Sequence, residues 1–240
     1  PPLPAPSLAG RLAGRLLCGS AAPPSPPTSG TVHPSQAALL SEQCILVDTS
    51  DRVLGAASKE FCHRADNVRA GRALHRAFSL FLLDSGGRLL LQRRSLLKLT
   101  FPGRWTNTCC SHPLHTADEL QPSLGVKLAA ARRTRLELGL RLPPGQMEHL
   151  ATIVYQADCD STGQWAEHEV DHVLRLRLPA GANEDVQRKL WPDPNEVAAT
   201  AWLADAELDD FVAERRAAGE PPTPWFELVL SSHRHLLFDG

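Results

Sequence analysis

LGVKLAAARRTRLELG, running from Leu124 to Gly139, is the clearest helix in this chain. Leu124, Leu128, Ala131 and Leu138 recur at helical spacing, Arg132, Arg133 and Arg135 fall between them, and Gly139 supplies a C-terminal stop. On either side the pattern changes. Upstream, the apolar runs His75–Leu83 and Arg88–Gln92 flank Asp84-Ser85-Gly86-Gly87, a set of turn residues able to take positive φ, which predicts paired antiparallel strands. Earlier still, Cys44-Ile45-Leu46-Val47 is β-rich and ends at the turn-like Asp48-Thr49-Ser50-Asp51, the opening of a hairpin. Downstream, strands are expected at Ala151–Ala157, Glu167–Leu178 and Val197–Leu203, with a turn at Trp191–Pro194. In the second of these Val170, His172, Leu174 and Leu176 alternate with Glu169, Asp171, Val173, Arg175 and Arg177. A helix is expected from about Asp205 to Ala218, and a last one after Thr223-Pro224, where Thr can cap and Pro suits the first helical position. Strands and helices mixed in this way define an α+β protein.

The chain has 240 residues, 42% hydrophobic, enough to bury a real core. Its formal net charge of -2 gives no basis for binding nucleic acid non-specifically. No apolar run approaches the ~20 residues that span a bilayer, so no membrane insertion is expected. Cysteines 18, 44, 62, 109, 110 and 159 lack the regular spacing of a secreted disulfide framework, which fits a reducing compartment. Residues 1–42, rich in Pro, Ala and Ser, read as a disordered tail and a candidate targeting segment; residues 43–240 form the folded domain.

Some residue types carry chemistry. On a strand, Glu167 and Glu169 point to one side and His168 to the other. Adjacent carboxylates repel unless a cation or a shared proton relieves them. With His63, His75 and His112 they form a mixed shell suited to Zn²⁺ or Mn²⁺, whereas solvated glutamates and structural histidines are the plainer reading. Cys110 and His112, two apart in Thr106-Asn107-Thr108-Cys109-Cys110-Ser111-His112-Pro113, would share a pocket if extended, and a cation there would favour the Cys110 thiolate. Cys110 is thus an acid/base group or nucleophile, or else a small buried filler. Lys59, Arg94, Lys98 and Arg133 could clamp phosphate oxygens or serve as surface charge.

Taken together these segments resemble the type I isopentenyl-diphosphate delta-isomerase family, a branch of the Nudix fold. The resemblance rests on Lys59-Glu60-Phe61-Cys62-His63, Leu74-His75-Arg76-Ala77-Phe78-Ser79, Phe101–Asn107 running on to His112-Pro113, Leu136–Gly139, Trp165–Glu169 and Thr223–Phe226. It covers nearly everything after Gln43. The insertion Leu114–Ser123 is similar to that of eukaryotic members.

The resemblance implies a mixed β-sheet core flanked by helices. It implies an isomerase interconverting isopentenyl and dimethylallyl diphosphate through a tertiary carbocation, in isoprenoid biosynthesis. Cys110 would be the catalytic thiol and Glu169 the opposing acid/base, with Tyr155 beside it. Lys59, Arg94, Lys98, Ser111 and Arg133 would grip the diphosphate, and Trp225 would wall the hydrocarbon pocket. His63, His75, His112, Glu167 and Glu169 would hold a divalent ion (Mg²⁺, Mn²⁺ or Zn²⁺), and Glu137 a Mg²⁺ that arrives with the substrate. A monomer is expected, in the cytoplasm or peroxisome unless the tail directs it to an organelle. The hydrolase box of the fold, Arg-Glu-x-x-Glu-Glu-x-Gly, reads here Arg132-Arg133-Thr134-Arg135-Leu136-Glu137-Leu138-Gly139. Only its last glutamate remains, which disfavours pyrophosphate hydrolysis, the alternative activity. A non-catalytic metal-storage or partner-binding relative is the other alternative.

Overall fold

A computed structural model describes residues 33–159 and 162–239. A short helix α1 (Pro34–Ala37) and a 3₁₀ turn (Ala38–Ser41) lead into the hairpin β1 (Gln43–Val47) and β2 (Val53–Ser58). Two single-turn helices follow, α2 (Lys59–His63) and α3 (Ala65–Arg69), then strands β3 (His75–Leu83), β4 (Leu89–Arg94), β5 (Trp105–Thr106) and β6 (Cys109–Ser111). Helix α4 (Gly125–Leu138) precedes the long strands β7 (Glu148–Asp158) and β8 (Ala166–Arg177), helix α5 (Asn183–Lys189) and strand β9 (Val197–Leu203). Helices α6 (Leu208–Ala217), α7 (Pro224–Ser232) and α8 (Arg234–Phe238) complete the chain. No described helix is long and apolar enough to cross a membrane.

All nine residues of β3 are buried, as expected for a strand covered on both faces. It runs parallel to β8 along its whole length, and β8 pairs antiparallel with β7. The other edge of β3 is shared. Leu46 of β1 meets its start, β6 lies along Phe78–Leu80, and β4 meets it at the turn, where Leu83 faces Leu89. The expected β3–β4 hairpin therefore exists at its turn and then splits. Polar side chains fill the split: Thr108 Oγ1 donates to Leu90 O at 2.7 Å and accepts from Leu82 N–H at 2.8 Å, while Asn107 Nδ2 donates to Leu80 O at 3.1 Å. Released from β3, β4 pairs with β9 and β5. The Thr-Asn-Thr segment is thus a wedge that opens the sheet, and β6 follows directly from it.

Alternate residues of β3 serve different cores. Phe78, Leu80 and Leu82 meet Val126, Ala129 and Ala130 of α4, whereas Phe81 and Leu83 join Trp225, Phe226 and Val229 of α7 and Leu237 of α8. Ring centroids of Phe81 and Phe226 stack 6.2 Å apart.

Four details differ from the sequence reading. Within the tail assigned to 1–42, residues 34–41 are helical and Gln36 is buried; Pro34 opens the turn, and the His33 side chain accepts from Ser35 N–H. Residues 1–32 lie outside the described residues. Helix α4 forms as expected, with Gly139 left-handed at φ 72°, but its buried face is turned. Leu124 and Leu136 are exposed while Arg133, Thr134 and Glu137 are buried. Third, β8 is buried on both faces over most of its length, so its alternation does not separate core from solvent. Fourth, Thr223 starts α7 with cap-like backbone angles but without a side-chain cap, because its hydroxyl bonds Thr106 Oγ1 at 2.8 Å.

Candidate active site

Short elements bring the histidines together. His63 ends α2, His75 begins β3, and His112 follows β6. Ser58 caps α2 by accepting from Phe61 N–H at 3.2 Å, which fixes the turn carrying Lys59 and His63. In the sheet, His75 lies opposite Glu169 on β8, and Glu169 lies opposite Tyr155 on β7. The strand period turns Glu167 and Glu169 inward together; both are buried, and His168 is half-buried on the other side.

His63 Nδ1 donates to Lys59 O and His75 Nδ1 to Ala73 O, each at 2.7 Å. A carbonyl can only accept, so each neutral ring keeps a bare lone pair on Nε2. Both Nε2 atoms are buried and without a hydrogen-bond partner. His112 Nε2 lies 2.7 Å from Glu169 Oε1, and His75 Nε2 lies 3.6 Å from the same oxygen. Ligand atoms of His63, His75, His112 and Glu169 all fall within 4.8 Å of one another. Orphaned lone pairs around a carboxylate in a dry pocket fit a divalent ion, and the carbonyls behind the rings give the outer support that imidazole ligands use. Glu167 stands at the edge of this cluster, its Oε1 3.9 Å from His63 Nε2.

The protons are unevenly held. Burial drives His63 well below the usual imidazole range and His112 down to about 3. Burial also opposes a charge on His75, but with no cation at the cluster the Glu169 carboxylate outweighs it and lifts that ring to about 9, so a bound ion would displace this proton to reach the Nε2 lone pair. Glu169 is held well below the carboxylate range: burial works against this, and the hydrogen bond from His112 together with the nearby His75 prevails. Glu167 moves the other way, to about 7, through burial and then repulsion from Glu169. The Tyr155 hydroxyl bridges them, 2.9 Å from Glu167 Oε2 and in a short contact with Glu169 Oε2. Having one hydrogen, it donates to one carboxylate at a time.

Across the cleft, burial pushes the Cys110 thiol up to about 12, against the attraction of Arg94, whose Nη1 lies 3.6 Å from Sγ. Burial thus favours the protonated thiol at Cys110. Arg94 is fixed by the Thr100 carbonyl at 2.8 Å, and its guanidinium carbon sits 5.6 Å from the Trp225 ring centre. Trp225 is itself anchored, its Nε1 donating to Asn107 Oδ1 at 3.0 Å.

One cleft is lined by Lys59, His63, Arg94, Lys98, Cys110, Ser111, His112, Tyr155, Glu167, Glu169 and Trp225, eleven of the fourteen residues singled out in the sequence. His75, Arg133 and Glu137 stand behind this wall. Arg133 Nη2 is engaged by Glu137 Oε1 at 2.6 Å and Glu196 Oε2 at 3.4 Å. Glu196 also takes a short contact from Lys98 Nζ and a 3.3 Å hydrogen bond from Gln36 Nε2. Sequence reasoning missed Glu196, since nothing in its spacing ties it to Lys98. It also missed Gln36, Leu39 and Leu40, which lie in the segment read as tail and line the cleft. Arg132, beside Arg133 on α4, clamps Glu119 at 2.6 and 2.9 Å and reaches His112 O at 3.3 Å.

Residues 73–226 match the Nudix domain family model. The crystal structure of a Deinococcus radiodurans protein superposes with a TM-score of 0.51 at 24% identity, covering 80% of this chain and 100% of that one, a likeness of fold. Isopentenyl-diphosphate Delta-isomerase 1 of Bos taurus is 41% identical over 199 residues, 81% of this chain and 83% of the bovine protein. Isopentenyl-diphosphate Delta-isomerase II, chloroplastic, of Arabidopsis thaliana is 42% identical over 201 residues, 81% of this chain and 67% of the plant protein. With relatives this similar over this much of its length, the chain belongs to the isopentenyl-diphosphate Delta-isomerase family within the Nudix superfamily.

Proposed function

We infer that this chain interconverts isopentenyl diphosphate and dimethylallyl diphosphate, a step of isoprenoid biosynthesis, by giving one proton to the alkene and removing another from a neighbouring carbon. The observation that carries the reading is the meeting of Cys110 with the Tyr155–Glu167–Glu169 group in one cleft walled by Trp225. Burial favours the protonated thiol at Cys110, and the hydrogen bond from His112 favours the ionised carboxylate at Glu169. The pair therefore already stands as one donor and one acceptor, and the return reaction exchanges the roles. Between the two transfers the carbon skeleton is a tertiary cation. The Trp225 ring face favours it, and the reaction requires that water be kept from quenching it.

Lys59, Arg94, Lys98 and Ser111 are assigned to the diphosphate. Lys59 and Ser111 line the cleft and carry no ion pair among the described residues, so both are available to a ligand. Arg133 and Glu137 lie behind Lys98, and their contribution to the diphosphate end, including any Mg²⁺ held by Glu137, passes through that network. His63, His75, His112 and Glu169, with Glu167 at the edge, would hold a divalent ion. Its chemistry when bound is to hold these rings neutral and fix the Glu169 carboxylate. Hydrolysis is disfavoured by the same helix: of the glutamates in the hydrolase box only Glu137 remains, and Arg133 already neutralises it. Chloroplastic relatives in Arabidopsis thaliana support reading the N-terminal segment as a targeting sequence.

The test is incubation with isopentenyl diphosphate and Mg²⁺ in D₂O, followed by NMR. The wild type is expected to incorporate deuterium and yield dimethylallyl diphosphate, and Cys110→Ala to lose roughly 10²–10⁴-fold in rate. Absence of isomerisation in the wild type overturns the reading.

A further inference from the structure

A second cleft, sharing no lining residue with the first, contains Asp51, Arg76, Lys127, His149 and His172. It opens on the opposite face of β8, because His172 is out of step with Glu167 and Glu169 in the strand period. The cross-strand register of β7 and β8, with a bulge between His149 and Ala151, brings the two imidazoles together. Their nitrogens, His149 Nε2 and His172 Nδ1, are 3.2 Å apart. Two imidazole nitrogens bound to one tetrahedral zinc at ~2.0–2.1 Å each lie about 3.3 Å from one another.

The remaining nitrogen of His172 is committed. Its Nε2 lies 3.0 Å from Asp51 Oδ2, and an ionised carboxylate only accepts, so the proton is on Nε2 and the lone pair on Nδ1. Asp51 is fixed in turn by Arg76, whose Nε donates to Oδ1 at 2.7 Å and whose Nη2 donates to the Asp51 carbonyl at 2.9 Å. A carboxylate holding a histidine that offers its other nitrogen outward is the support found behind imidazole metal ligands. His149 Nε2 is also 3.0 Å from Thr152 Oγ1. Burial, and then the nearby His172 and Lys127, lower the pKa of His149 and keep it neutral. Its Nδ1 has no protein partner among the described residues, so it can carry the ring proton while Nε2 binds.

We propose that His149 and His172, oriented by Asp51, form a second metal site that takes a nitrogen-preferring divalent ion such as Zn²⁺ or Cu²⁺, open to solvent in its remaining positions. The site stands independently of the proposed reaction. Mg²⁺, which favours all-oxygen shells, is a poor match.

Equilibrium dialysis of the metal-free full chain against Zn²⁺ tests it. The wild type is expected to bind one ion more than His149→Gln, while His149→Cys, which keeps a ligand at that position, restores the count. His149 is exposed, so neither change disturbs the core. Asp51→Asn preserves the left-handed backbone at φ 60° and is expected to weaken this site on the order of 10-fold. Cu²⁺ bound to the wild type should show nitrogen hyperfine structure that His149→Gln loses. Equal zinc counts in wild type and His149→Gln would mean that the rings share only a hydrogen bond, and the proposal falls.

Discussion

At Glu196 a single carboxylate meets Lys98, Arg133 and Gln36 in a nearly dry setting. Burial alone would raise its pKa, but Lys98 and Arg133 reverse this and hold it at about 2. Because the folded value lies below the unfolded one, Glu196 contributes stability above the unfolded pKa, and that stability is lost as pH falls from the unfolded value toward the folded one. Glu196→Gln should therefore cost about 3 kcal/mol at neutral pH, the size expected for breaking a buried pair. The difference from wild type should shrink between pH ~4.5 and ~2. Urea titrations of both proteins across that range check it, and a pH-independent difference would mean that the carboxylate's charge is not what matters. The residue also marks a limit of reading a sequence. Glu196 and Lys98 are 98 positions apart, and the contact exists only because β4 and β9 pair. That Glu167 and Glu169 share one side, and that Cys110 and His112 line one cleft, was legible from their spacing of two, whereas their roles were implied only by the family resemblance. The thiol's protonation was not legible, because it depends on burial.

Elements were legible where local chemistry governs them. Asp84-Ser85-Gly86-Gly87 makes its turn, Gly139 ends α4, and β7, β8 and β9 lie within a few residues of where periodicity puts them. Partnership was harder to read. The parting of β3 from β4 depends on Thr108 and Asn107 inserting between strands far from them in sequence, and the face α4 buries depends on an ion pair that hydrophobic periodicity cannot register. The start of α4 bears a further constraint. A Cβ added at Gly125 would fall on the backbone of Glu119, in the loop whose Glu119–Arg132 clamp supports His112. Replacing a helical glycine by alanine ordinarily gains up to ~1 kcal/mol. Here the obstacle is backbone and cannot rotate away, so the clash wins: Gly125→Ala should lose about 1–3 kcal/mol in urea unfolding. It should also lower activity by displacing His112. A variant more stable than wild type would show that the 114–123 loop yields at little cost.

For the molecule as a whole, the strands of one sheet converge on a charged centre that a folded chain would not ordinarily bury. Among His63, His75, His112, Glu167 and Glu169, the unpartnered His63 Nε2 costs about 1–3 kcal/mol when no cation is bound, and Glu167 and Glu169 repel each other. These residues join α2, β3, β8 and the segment after β6, so an ion held there ties together elements from most of the domain. Binding only to the folded form adds RT ln(1 + [L]/Kd), about 2.7 kcal/mol at a hundredfold excess over Kd. In a chain of this size that corresponds to a Tm rise of roughly 5–10 °C. Chelation should therefore lower the melting temperature by that amount, and restoring Zn²⁺ or Mn²⁺ should recover it. His75→Ala should melt near the chelated wild type and respond little to chelator, whereas His149→Gln, on the other face of β8, should keep most of the response. A wild type whose melting is indifferent to chelator would mean that the His63, His75, His112 and Glu169 cluster is held by its own hydrogen bonds and the His75 charge, with no contribution from an ion.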